Sequence, residues 1–236
     1  MRLFAQIVAC FLLSLIDMAS NADMSLANFR QIATKIICVG RNYAEHAAEL
    51  GNALPNKPML FMKGVNAFIE EGQPIVAPPG CDELHQEVEL GVVISKTAKN
   101  VAKADAMSYV GGYVVALDMT ARDFQTEAKK KGAPWFLAKS FDASCPVSKF
   151  IPLEKVSNPH AEEIFCLING KQQQRGNTSD MIFDIPTIIS YATQYATLEK
   201  GDVVLTGTPA GVTRVVSGDV IEFGLTGKMT AKFTVQ

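Results

Sequence analysis

With 236 residues, 48% of them hydrophobic and 19% charged, the chain can build one sizeable core and has the composition of a soluble globular protein. A net charge of −2 gives no electrostatic footing for nucleic acid, whose partners present a clustered basic face. The five cysteines, Cys10, Cys38, Cys81, Cys145 and Cys166, have neither CxxC spacing nor partnering histidines, so they indicate neither a zinc site nor a disulfide scaffold.

The first 23 residues, MRLFAQIVACFLLSLIDMASNAD, hold one basic residue and then an apolar run too short to span a bilayer comfortably. They resemble a secretory signal ending near Ala22 more than an Arg-rich transit peptide. Alternatively, Met24 begins the functional protein. Residues 1–23 are therefore set aside as a leader or dispensable extension, and 24–236 are expected to form a single domain.

KIICVG reads as a buried strand, and RNYAEHAAELGN as a helix with Gly51 as its stop. MLFMKG is a further strand, followed by Pro- and Gly-rich turns in EEGQPIVAPPG. HQEVELGVVIS reads as one strand, with Val88, Leu90, Val92 and Ile94 on one side and His85, Glu87 and Glu89 on the other. YVGGYVVALDM is its companion. TARDFQTEAKKKG is a helix expected to be capped by Thr120 and ended by Gly132, with Lys129 to Lys131 as its solvated last turn. IFCLINGK meets a hairpin turn at Asn169-Gly170. MIFDIPTIISYATQYATLEKGD is a second long helix with Pro186 in its first turn, and DVVLTGTPAGV, GDVIEFGL and MTAKFTV close the chain as strands. Many short strands and few helices predict an α+β domain, mainly β.

The chemistry centres on Glu87 and Glu89, two carboxylates at strand spacing that repel unless something compensates them. Asp118 closes the neighbouring apolar strand and can converge on them. Three carboxylates without thiolate or paired imidazole describe a hard-cation site for Mg²⁺ or Mn²⁺. His46 and Glu49, three apart on a helix, can pair as an oriented general base. Lys139, among apolar neighbours, is either an edge residue extending to water or a cation that stabilises a developing anion. TGTPAGV, Thr206 to Val212, offers hydroxyls and turn N–H groups to a carboxylate and lacks the phosphate-loop pattern. His85 and His160 stay unassigned.

Taken in order and spacing, GRNYAEH, HQEVELGVVI, YVGGYVVALDMTARDFQ, PWFLAKSFD, SCP and LTGTPAGV resemble the fumarylacetoacetate hydrolase family. The similarity spans residues 35–236 and is strongest to its small single-domain branch of mitochondrial acylpyruvate hydrolases and oxaloacetate decarboxylases. The resemblance implies a mixed β-roll and a homodimer, with Mg²⁺ held by Glu87, Glu89 and Asp118. It further implies a His46–Glu49 dyad on a lid over substrate, Lys139 and Gln125 at the reacting centre, and Arg122 and Thr208 lining the pocket. The expected reaction is Mg²⁺-dependent cleavage of a short 2-oxo acid through the enolate of pyruvate, by acylpyruvate hydrolysis, oxaloacetate decarboxylation or both. Keto–enol tautomerisation of oxaloacetate on the same site and non-catalytic binding of oxo acid and metal remain the alternatives. Mitochondrial or cytosolic placement follows from the resemblance, whereas the leader leaves secretion open.

Overall fold

The alternation of Val88, Leu90, Val92 and Ile94 decides where the molecule packs. All four enter the main hydrophobic core, while Val93, on the opposite side, joins a second cluster with Ile36, Cys38, Val114 and Leu205. A strand covered on both faces must be apolar nearly throughout, and every position of the Val88–Ile94 strand is buried. The computed structural model describes residues 26–49 and 54–236, the side chains of residues 46–48 excepted. The leader and the predicted stop at Gly51 lie outside the described residues.

That strand sits inside a six-stranded sheet. The order is Met59–Lys63, Ile36–Gly40, Val203–Leu205, Val88–Ile94, Val110–Leu117 and Ile151–Pro152. Ile36–Gly40 runs parallel to Val203–Leu205, and the remaining pairs are antiparallel. A four-stranded antiparallel sheet, in the order Lys171–Asn177, Glu163–Ile168, Val220–Leu225 and Met229–Thr234, packs Ile164, Cys166, Phe223 and Phe233 into the main core. The helix Ile185–Tyr195 adds Ile185, Ile188 and Ile189. Each fully buried aliphatic side chain of this kind contributes about 1.5–3 kcal/mol. The outcome is the expected α+β architecture, mainly β. No helix among the described residues is long and apolar enough to cross a membrane.

Most predicted punctuation holds. Asn169 and Gly170 both take positive φ in the hairpin turn, as a primed turn requires. Asp184 caps Ile185–Tyr195 by accepting from the Thr187 N–H at 2.8 Å, with Pro186 in the first turn. Gly132 ends the helix Arg122–Lys131 in the left-handed conformation, φ 62°.

Two expectations need correction. Thr120 does not cap Arg122–Lys131: that helix begins after Ala121 with no side-chain cap. Thr120 is instead buried in the short strand Thr120–Ala121, where its hydroxyl accepts from Lys139 Nζ. The stretch from His85 to Ser95 is not one strand either. Leu84–Gln86 pairs with Thr213–Arg214 and Thr120–Ala121, Val88–Ile94 belongs to the large sheet, and Glu87 stands at the break between them. The break places a carboxylate where two sheets part.

Candidate active site

Register builds the site. Val88 lies opposite Leu117 and Glu89 opposite Ala116, so Asp118 falls beside Glu87, and its N–H donates to the Glu87 carbonyl at 2.8 Å. Glu87, Glu89 and Asp118 each place a carboxylate oxygen within 4.8 Å of the others, and all three residues are buried.

Buried like charges need compensation, and the sequence supplies it from four directions. Lys139, 2% exposed at the end of the short helix Phe136–Lys139, donates to Glu87 Oε2 at 2.8 Å, Asp118 Oδ2 at 2.6 Å and Thr120 Oγ1 at 2.6 Å. Arg122 contacts Glu87 Oε1 at 2.5 Å and donates to Gln125 Oε1 at 2.7 Å. The Gly207 N–H donates to Glu89 Oε2 at 2.6 Å. Gly207 holds φ 99°, and a Cβ there would come within 2.6 Å of Asn42 Cβ, so only glycine brings that N–H to the carboxylate.

The fourth is Lys63, which the sequence reading passed over. It closes the edge strand Met59–Lys63 and is fully buried. Its Nζ lies 2.8 Å from Asp118 Oδ1 and donates to the carbonyls of Met119 and Lys139. The period-2 pattern of a strand was the available signal. Met59 and Phe61 line the cleft, so the next residue in phase, Lys63, had to point inward as well.

Electrostatics follow from burial. Glu89 is held well above the usual carboxylate range, first by desolvation and then by Asp118 and Glu87. Burial alone would lower Lys139, but Asp118 and Glu87 outweigh it and hold the ammonium above its ordinary value. The neighbouring Cys38 thiol is pushed well up, mainly by burial, and so stays protonated rather than offering a soft ligand.

These residues fit a divalent cation. Asp118 Oδ1 is buried and accepts no hydrogen bond, its 2.8 Å contact with Lys63 Nζ being an ion pair. A buried carboxylate oxygen with an unused lone pair, beside two further carboxylates, is a hard-cation donor set.

The cleft over the triad encloses about 390 Å³, solvent at its mouth included. Arg122, Gln125, Lys139 and Thr208 all line it, as do Arg41 and Trp135, for which the sequence indicated no role, and Lys129, expected only as part of a solvated helix end. Gln174 is a further omission. It is buried, its Oε1 accepts from the Val88 N–H at 3.0 Å, and its Nε2 donates to Thr208 Oγ1 at 2.8 Å. One amide thereby fixes Thr208 to the strand that carries Glu89.

His46 lies on the helix Ala44–Glu49, but its side chain is outside the described residues. Glu49 accepts from the Gly211 N–H at 3.3 Å, joining that helix to the loop that bears Thr208. His85 faces Glu83 at 3.3 Å, and His160 Nε2 accepts from the Ile185 N–H at 3.1 Å. Neither lines the cleft.

The fumarylacetoacetate (FAA) hydrolase C-terminal family model matches residues 35–236. The chain is 71% identical over 212 residues to the protein of Caenorhabditis elegans named oxaloacetate tautomerase fahd-1, mitochondrial, covering 90% of this chain and 99% of the relative. It is 46% identical to the Dictyostelium discoideum protein named oxaloacetate decarboxylase, mitochondrial, covering 84% and 92%. A solved structure of fumarylpyruvate hydrolase from Pseudomonas aeruginosa, in complex with Mn²⁺ and pyruvate, superposes with TM-score 0.82 at 32% identity, covering 86% and 89%. With the family model spanning nearly all of the described chain and the fold matching in three dimensions, the chain belongs to the fumarylacetoacetate hydrolase C-terminal family.

Proposed function

We propose that this protein is a Mg²⁺-dependent mitochondrial enzyme that interconverts the keto and enol forms of oxaloacetate. The observation that carries the reading is the buried triad of Glu87, Glu89 and Asp118, in direct contact with Lys139 at the base of a cleft lined by Arg122, Gln125 and Thr208. Relatives named as mitochondrial oxaloacetate tautomerase and decarboxylase support it.

The triad would hold the metal, and when bound the metal supplies Lewis-acid polarisation of the 2-oxo group. His46, on the helix that also carries Glu49, would take a proton from C3 as general base. The electron pair of that C–H bond becomes the C2–C3 double bond, and the carbonyl pair moves onto the C2 oxygen. Lys139 stabilises the charge that develops there, as a preorganised cation in a water-poor site does. Protonation of that oxygen completes the enol. Arg122, Gln125 and Thr208 line the substrate's path and fix its orientation.

Decarboxylation is a second reading, favoured by the relative named for it. There the C3–C4 bond breaks, CO₂ leaves and the electron pair stays behind as the enolate of pyruvate, which takes up a proton at C3 to give pyruvate; this step needs no base. Acylpyruvate hydrolysis, with His46 activating water, uses the same residues. Residues 24–236 act as one catalytic unit. Exposed Met62, Phe136 and Leu137 fit the expectation of a homodimer, since large apolar groups in water favour association.

The test follows the enol absorbance and pyruvate release of oxaloacetate in parallel, with Mg²⁺ and then with EDTA. Faster, metal-dependent keto–enol exchange with little pyruvate is the expected result. Metal-dependent pyruvate release at the same rate as enol decay moves the assignment to decarboxylation, and no acceleration of either overturns both oxaloacetate readings.

A further inference from the structure

Each cation that touches the triad is already matched. Glu87, Glu89 and Asp118 supply three negative charges, and Lys63, Lys139 and Arg122, each in contact with one or two of them, supply three positive ones. Yet the cleft is lined by two further cations, Arg41 and Lys129. With Lys63, Lys139 and Arg122 they make five cations around the three carboxylates of the triad.

Arg41 is held there by the backbone. Its φ is 58°, a left-handed conformation that non-glycine residues rarely adopt and that costs about 1–3 kcal/mol where it persists. The next residue, Asn42, locks the turn. Asn42 is fully buried, its Nδ2 donates to the carbonyls of Phe183 and Thr206 at 2.9 and 2.8 Å, and its Oδ1 accepts from the Phe183 N–H at 2.8 Å. A strained backbone over-determined by a buried amide is how a fold aims one side chain.

Lys129 comes from the other wall. It extends from the last turn of Arg122–Lys131, where its Nζ lies 5.2 Å from the centre of the Trp135 ring. Burial lowers its pKa first, and the charges of Arg122, Arg41 and Lys139 add to this against that of Glu87, which raises it. A divalent ion on the triad adds two more positive charges, so the loaded cleft is markedly cationic.

From this arrangement we infer that Arg41 and Lys129 form a carboxylate subsite at the cleft mouth, which selects 2-oxo acids carrying a second, distal carboxylate. The inference rests on the proposed oxo-acid reading and extends it to substrate class. The 2-oxo and adjoining carboxylate groups address the triad, and the far carboxylate is left for the two mouth cations. A guanidinium donates two parallel N–H···O bonds to it. A monocarboxylate such as an acylpyruvate or pyruvate leaves this subsite empty.

Trp135 is the only tryptophan of the chain and lines the cleft, so its fluorescence reports occupancy. The experiment mixes Mn²⁺-loaded full-length protein rapidly with oxaloacetate or with pyruvate, which differ only in the distal carboxylate. Wild type is compared with Arg41→Gln, Lys129→Met and the double variant. The expected result is a loss of oxaloacetate affinity of about tenfold or more for each single variant, as for a charge-assisted hydrogen bond, with pyruvate affinity changed less than about threefold. Equal losses for both ligands, or no loss for either, would overturn the subsite. Turnover of oxaloacetate by wild type is scored separately. Selective binding without turnover would sink the enzymatic reading and leave the subsite standing, whereas turnover with unselective variants would do the reverse.

Discussion

Lys139→Met is expected to lower oxaloacetate turnover by about 10²–10³-fold, the cost of removing one preorganised charge donor from an active site, while Mn²⁺ affinity does not fall. The ammonium is buried and held in its charged form by Asp118 and Glu87 against the pull of desolvation. Three short contacts, to Glu87, Asp118 and Thr120, fix its position, and the face of Phe61 lies 5.0 Å away. Methionine keeps the apolar stem and removes the charge together with the three hydrogen bonds it makes. Because the triad then has one cation fewer, a divalent ion is attracted at least as strongly as before. Steady-state kinetics together with calorimetric Mn²⁺ titration separate the two effects. Parallel loss of metal binding and turnover would reduce Lys139 to scaffolding for the carboxylates.

Lys63→Met should destabilise the fold by about 3–5 kcal/mol, the usual cost of leaving one partner of a buried ion pair uncompensated. For a chain of this size each kcal/mol moves the melting temperature by about 2–4 °C, so a fall of roughly 6–20 °C is expected. Lys63 joins three parts of the site at one nitrogen: the Asp118 carboxylate, the Met119 carbonyl and the Lys139 carbonyl. Its loss therefore loosens the Asp118 strand end and the Phe136–Lys139 helix together. Adding Asp118→Asn removes the stranded charge, and the double variant is expected to melt above Lys63→Met alone, a non-additivity that contact between the two residues requires. A single variant melting within 2 °C of wild type by calorimetry would contradict the buried-pair account.

How far the sequence could be read depended on the range of the interaction. Glu87, Glu89 and Asp118 were visible because a strand's period is fixed and an acid inside an apolar run demands compensation. Neighbouring apolar strands then bring Asp118 beside Glu87 without further information. The break at Glu87 was not visible, since it arises only when Leu84–Gln86 leaves the large sheet to pair with Thr213–Arg214, a partner more than 120 residues away. The same holds for Thr120. Locally it is a good helix cap, but Lys139 takes its hydroxyl, and tertiary contact prevails over local preference. Lys63 alternates with Met59 and Phe61 in the sequence, yet a lysine at the end of a strand is ordinarily an edge residue in water, so the pattern alone did not mark it as buried. Arg41 and Gln174 left no local signal: one depends on a left-handed backbone held by Asn42, the other on a partner loop that carries Thr208.

The proposed chemistry depends on the three carboxylates holding a divalent cation, and calorimetric titration of chelator-stripped protein with Mn²⁺ tests that most directly. One Mn²⁺ per chain is expected for wild type. Asp118→Asn and Glu89→Gln should each weaken binding by about two orders of magnitude with the fold retained by circular dichroism, because a neutral amide oxygen replaces an anionic ligand on a hard cation. Mn²⁺ bound with unchanged stoichiometry and affinity by both variants would place the metal elsewhere and remove the basis of the proposed chemistry.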